Sequence, residues 1–144
     1  MLADVNFWLA LVLSKHLHHA RVTAWFEAVP GPGGVGFCRV TQLSLLRLLT
    51  TEAVLAPYGI RARTLTEAWT VFDGLAADER VVLLPEPPEL GAEWRRLTTG
   101  RRSSPKLWMD AYLAAFALAA GRRMVTLDAA FRQFAGLELV PLPE

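Results

Sequence analysis

LWMDAYLAAFALAAGRRMVTLD, residues 107–128, is the stretch on which the fold turns. Leu107 to Ala120 is rich in alanine and leucine and holds no breaker, which predicts a helix, and Gly121 supplies its C-terminal stop. Met124 to Leu127 then reads as a short apolar strand. A helix feeding straight into such a strand is the building unit of an α/β sheet. Each half also sets a carboxylate among core-forming residues, Asp110 in the helix and Asp128 just past the strand.

Moving upstream, Thr99 to Lys106 is polar and basic and carries Gly100 and Pro105, so an exposed loop is expected there. Glu89 to Thr98 predicts a weaker helix, Val81 to Pro85 a parallel strand, and Thr64 to Ala76 an amphipathic helix. Gln42 to Ala53 predicts a long leucine-rich helix with Thr41 as its N-cap, preceded by a strand at Gly36 to Val40. Ala20 to Val29 has helical spacing with Val22, Trp25, Phe26 and Val29 inward, and Pro30 to Gly34 stops it. At the start, Leu2 to Val5 reads as a core strand, with Asn6 capping a helix whose apolar face is Phe7, Leu9, Leu11 and Val12. Downstream of the opening stretch, Ala129 to Phe134 predicts a short helix and Leu137 to Val140 a last strand. Strands alternating with helices and no linker or repeat predict one domain over 1–144, a three-layer α/β/α sandwich around a mainly parallel sheet.

Composition agrees with a folded enzyme-sized unit. A chain of 144 residues with 53% apolar and 20% charged side chains can bury a real core. Its net charge of +1 argues against coating nucleic acid by bulk positive charge, while leaving room for a local basic patch. Leu2 to Leu13 is interrupted by Asp4 and Asn6 and is too short for a membrane span. The single cysteine, Cys38, excludes an internal disulfide and a Cys-based zinc site; it reads as a small buried residue and points to the reducing cytoplasm. No Gly-x-Gly-x-x-Gly follows the first strand and no Walker-type loop occurs, which disfavours nucleotide binders.

Most of the fourteen acidic residues sit where solvated acids belong. Asp4, Asp110 and Asp128 do not: each is flanked by apolar residues, where an ionised carboxylate is costly unless paired or metal-bound. Asp4 and Asp128 both fall just after strands, at the edge where open α/β sheets bind ligands, and Asp110 lies in the first turn of the helix beside it. Three oxygen ligands without a Cys or a His pair suit Mg²⁺ or Mn²⁺ better than Zn²⁺. Such a site favours hydrolysis of a phosphodiester. Taken singly, each acid also fits a helix-capping or dipole-compensating role.

With Leu2, Asp4, Asn6 and Leu9 at one end, and Trp108 to Ala115, Gly121, Val125-Thr126-Leu127-Asp128 and Phe131 at the other, the sequence resembles PIN-domain ribonucleases of the VapC toxin type over essentially its whole length. The resemblance implies a Mg²⁺- or Mn²⁺-dependent endoribonuclease, a homodimer, and a VapB-like antitoxin that neutralises it. Asp4, Asp110 and Asp128 would be the ligands, with Asn6 and Thr126 orienting them. The family's usual Glu near the start of the helix after the second strand is missing, and its slot falls to Gln42 or, in another register, Ser44. A neutral amide there implies weaker binding of a second metal and opens an alternative: a catalytically weak or inactive PIN-fold module that binds RNA or protein. A phosphotransferase of the haloacid-dehalogenase kind would want an Asp at position 6, which is Asn.

Arg101, Arg102 and Lys106, with Arg95 and Arg96, read either as contacts to an RNA backbone or as a solvated face. His16, His18 and His19 are too closely spaced to face one ion and are expected at the surface. The five tryptophans are expected in the core or at a dimer contact, and Arg47 is an odd charge among leucines.

Overall fold

Period-two alternation along two very short strands divides the core. Leu2 and Met124 point to one side of the sheet, Ala3 and Val125 to the other, and all four are buried. The computed structural model describes residues 1–143. Its strands are β1 (Leu2–Ala3), β2 (Val35–Phe37), β3 (Val81–Leu83) and β4 (Met124–Val125), all parallel in the order β3-β2-β1-β4. The helices are α1 (Val5–Val12), α2 (His19–Glu27), α3 (Arg39–Leu49), α4 (Glu52–Leu55), α5 (Leu65–Ala76), α6 (Leu90–Thr98) and α7 (Pro105–Ala119), with 3-10 turns at Ala56–Tyr58 and Ala129–Gln133.

On one face α6 and α7 pack through Leu90, Leu97, Leu113 and Phe116, and the buried alanines 111, 114, 115 and 117 let α7 lie close. On the other, α1, α3 and α5 enclose Trp8, Leu45, Leu49 and Phe72, and the Trp8 ring stacks on Phe37 at 3.8 Å. Gly36 is required in β2, because a Cβ there would lie 2.6 Å from Leu84 Cγ. The expected α/β/α sandwich with a parallel sheet is therefore present.

Several local expectations are corrected. Asp4, not Asn6, is the N-cap of α1, and the helix buries Phe7, Trp8 and Ala10 while Leu9 and Leu11 stay half-exposed. Cys38, not Thr41, caps α3; Thr41 lies three residues inside and its Oγ1 accepts the Cys38 N–H at 3.0 Å. The long helix ends at Leu49 because Thr50 and Thr51 turn their hydroxyls back onto the Arg47 carbonyl, and α4 restarts beyond them. Pro105 opens α7 as its first residue, where its missing N–H costs nothing, so Lys106 is helical and Asp110 falls beyond the first turn. Strand β3 is an edge strand with Leu83 42% exposed. In place of a last strand, Leu139 makes an isolated parallel bridge to Met124.

Candidate active site

The chain steps from β1 to β2 to β3 in one direction and then returns to place β4 on the other side of β1. Connections before and after this reversal leave on opposite faces, which opens a crevice at the C-terminal ends of the two central strands. The β1–β4 register, Leu2 beside Met124 and Ala3 beside Val125, sets Asp4 level with Thr126 at that edge. Asp4 is 6% exposed and doubly held: Oδ1 accepts the Val5 N–H at 2.6 Å and Oδ2 accepts the Thr126 hydroxyl at 3.0 Å. Asn6 donates to Thr126 Oγ1 at 3.2 Å, and its carbonyl oxygen accepts the Leu127 N–H at 3.1 Å. Thr126 Oγ1 also accepts the Asp128 N–H at 3.0 Å. Asp128 caps the following 3-10 turn, its Oδ1 accepting from Ala130 N at 2.8 Å. One hydroxyl and one amide thus tie together the ends of strands that are more than a hundred residues apart in sequence.

Asp110 comes to this edge from α7 and is 8% exposed. The Lys106 ammonium lies 2.7 Å from Asp128 Oδ2 and 3.3 Å from Asp110 Oδ2, one cation between two carboxylates. It holds the Asp128 carboxyl below its ordinary range, with help from the Ala130 N–H. Asp4 has no cation. Burial pushes its carboxyl up to about 6; the Thr126 and Val5 hydrogen bonds oppose this, and the neighbouring charges of Asp110 and Asp128 add to it. Among the described residues, Asp110 and Asp128 share the Lys106 ammonium and Asp4 lies within reach of their charge, carboxylate oxygens of the kind hard divalent cations take. As the side chains lie, no three His, Cys, Asp or Glu groups among the described residues stand close enough to grip one ion. In chemistry the acids are the donors a divalent cation takes.

The remaining expected residues are placed separately. Gln42 is buried on α3 and its side-chain oxygen accepts from Arg39 at 2.6 Å, whereas Ser44 lines a different cleft. Arg101, Arg102 and Lys106 border a cavity of about 390 Å³ that reaches Asp110. Arg101 donates to Gln133 at 2.9 Å and lies over the Phe134 ring. On the other side of Asp128 a larger cavity, about 680 Å³, is lined by Thr126, His18, Arg21 and Arg132. Sequence reading did not single out Arg21 and Arg132, nor the pairing of Lys106 with an acid. The spacing from Lys106 to Asp110, four residues on a helix, was the available signal for that pairing.

The histidines are half-buried rather than simply exposed: His16 stacks on Tyr58 and accepts the His18 N–H at 3.1 Å, and His19 contacts the Ala10 carbonyl. Cys38 is a buried free thiol, raised in pKa by burial. Trp8 is core, but Trp108 is 61% exposed and Trp69 48%. Leu43, Leu65, Trp69 and Met109 flank an apolar cleft of about 600 Å³ between α3 and α5, and Arg47 stands at its wall with no ion-pair partner among the described residues. Among those residues, no helix is long and apolar enough to cross a membrane.

The family model described as PIN domain matches residues 1–137. Ribonuclease VapC41 of Mycobacterium tuberculosis is 49% identical over 140 residues, covering 96% of both chains. Among solved structures, a chain of the VapBC2 complex of Rickettsia felis, bound to a DNA fragment from its promoter, superposes with a TM-score of 0.71 at 13% identity, covering 99% of this chain and 98% of the other. The sarcin-ricin loop cleaving toxin VapC20 of Mycobacterium tuberculosis superposes with a TM-score of 0.66 at 19% identity, covering 97% and 98%.

Proposed function

The chain belongs to the PIN-domain family, in its VapC branch, and from that membership we propose that it is a divalent-metal-dependent endoribonuclease toxin neutralised by a VapB-like antitoxin. The observation that carries the proposal is the edge formed by β1 and β4, where buried Asp4 feels the charges of Asp110 and Asp128 and the Lys106 ammonium lies between the latter two. We assign these three acids as the ligands of Mg²⁺ or Mn²⁺. When bound, the ion supplies Lewis-acid activation of the scissile phosphodiester and of the attacking water.

The chain's own groups do the rest. Thr126 and the Val5 N–H fix both oxygens of Asp4, and Asn6 locks Thr126 by bonding its hydroxyl and the adjoining Leu127 N–H. Orientation of this kind fixes where ligand lone pairs point. Arg101 and Arg102, at the mouth of the cavity that reaches Asp110, are assigned to the RNA backbone. The apolar cleft between α3 and α5 is assigned to protein contact, with a second copy of the chain or with the antitoxin.

The test is cleavage of RNA by purified, antitoxin-free protein with Mn²⁺ and with EDTA, beside Asp4→Asn. Cleavage is expected only with the ion and only with Asp4 intact; equal rates in all three samples would remove the assignment. One observation favours a second reading, a weak or inactive RNA-binding module: Gln42 brings a neutral amide already held by Arg39. RNA retention without cleavage in Mn²⁺ would select it.

A further inference from the structure

Lys106 was expected to act on RNA from a loop, yet its ammonium is spent on two of the acids assigned to the metal. Asp128 Oδ1 already accepts the Ala130 N–H, so Oδ2 is its less engaged oxygen, and that is the atom Lys106 holds at 2.7 Å. The same ammonium lies 3.3 Å from Asp110 Oδ2. An ammonium and a divalent ion cannot share both oxygens at contact distance without strong repulsion. The two carboxylates are rooted, Asp110 in the middle of α7 with its side chain 12% exposed and Asp128 at the cap of the 3-10 turn. Lys106 is not rooted: it sits in the first turn of α7, its side chain is 63% exposed, and it can swing into water without moving the backbone.

We propose that Lys106 is a positioning residue of the metal centre: its ammonium occupies the cation position between Asp110 and Asp128 and is displaced when the divalent ion enters. The inference rests on the metal assignment made above. In the ion-free protein Lys106 keeps two like charges from driving the acids apart. After displacement the same ammonium stands free beside Arg101 and Arg102, lining the cavity through which a phosphate would approach.

Displacement has a signature that a mere charge near the site lacks. An amine held between two carboxylates resists chemical modification, so Mg²⁺ should expose Lys106 to reductive methylation, read peptide by peptide by mass spectrometry. A lysine that only repels the ion at a distance would not gain reactivity. In parallel, Mn²⁺ calorimetry on Lys106→Met should show affinity raised about two- to fivefold, the worth of an exposed ion pair expressed as a binding ratio. Lys106→Arg should restore wild-type affinity, and Arg102→Met, which touches neither acid, should stay close to it. Methylation of Lys106 unchanged or slowed by Mg²⁺, or a Lys106→Met affinity equal to or weaker than wild type, overturns the proposal while leaving the metal centre standing. Absence of Mn²⁺ binding to the wild-type protein, with Asp4→Asn indistinguishable from it, removes the metal centre and this inference with it.

Discussion

Two aspartates on opposite ends of the sheet show how differently this chain treats its charges. Asp78, in the turn after α5, is satisfied by its own neighbourhood: Oδ1 accepts from Arg80 N at 3.0 Å and Arg80 Nε at 2.8 Å, and Oδ2 from the same guanidinium. That guanidinium in turn donates to the Phe26 carbonyl and lies 4.2 Å from the centre of the Phe26 ring. The Asp78 carboxyl is accordingly held down at about 2. Asp4 is buried, has two neutral donors and faces two further carboxylates, and its carboxyl rises to about 6. An acid that serves the fold is neutralised on the spot; an acid left buried and under-compensated is of the kind found at functional sites.

The largest effect expected from that contrast is at Asp4. Asp4→Asn should lower RNA cleavage in Mn²⁺ by about a hundredfold or more, since it removes a charged ligand and keeps one acceptor oxygen in place of the two that take the Val5 N–H and the Thr126 hydroxyl. In EDTA the same variant should be more stable than wild type near pH 8, by about 1–2 kcal/mol. The sign follows from proton linkage. The folded carboxyl, at about 6, lies above its ordinary 3.8, so the folded state binds the proton more tightly. Wild-type stability should therefore fall as pH climbs between those two values and stay flat above them, with Asp110 and Asp128 the charges that face the group. Thermal unfolding in EDTA from pH 4 to 8 reads this directly; identical pH curves for wild type and Asp4→Asn would erase the contrast.

Asp78 should answer in the opposite sense. Asp78→Asn is expected to lower Tm by a few degrees, on the order of 2–4 °C, and to leave cleavage unchanged. Because its folded carboxyl lies below the ordinary value, its stabilisation is present above pH 3.8 and is lost as pH falls toward 2. A variant that lost cleavage without losing Tm would place Asp78 on the functional side of the comparison.

The parts legible in the sequence are those where period and company both speak. The alanine-rich run of α7, its stop at Gly121 and the strand after it came through because a buried helix against a sheet needs small residues and a left-handed terminus, and Gly121 has φ +59°. Asp4, Asp110 and Asp128 stood out as charges in apolar company; Asp110 and Asp128 meet at the Lys106 ammonium, and Asp4 feels the charge of both. Less legible was whatever depends on hydrogen bonds between residues of modest propensity. Thr50 and Thr51 break the leucine-rich helix through their hydroxyls, and Cys38 takes the cap expected of Thr41. Pro105 was read as a loop breaker when its place is a helix start, and that misplaced Lys106 by moving it off α7. Which nearby charge neutralises which acid is a matter of tertiary distance, so the pairing of Lys106 with Asp128 has no counterpart in local pattern.

The smallest effect tests whether neutralisation alone makes an acid structural. Glu67 is also held at about 2, first by Arg61 and then by the Thr64 N–H. The Arg61–Glu67 pair lies in solvent, with side chains 69% and 37% exposed, and Glu67 additionally closes the capping box of α5 with Thr64. Arg61→Ala removes the ion pair and leaves the box intact, so Tm should move by no more than about 1 °C, and that difference should fade in 1 M salt. The depressed carboxyl is then a local electrostatic fact with little bearing on stability, because water already screens what the guanidinium offers. What sets Asp78 apart is that its guanidinium is packed over Phe26 and bonded to the backbone of α2. A loss of Tm in Arg61→Ala as large as in Asp78→Asn would mean that charge pairing by itself, wherever it sits, stabilises this chain, and the depth at which a pair is packed would cease to separate the two kinds of acid.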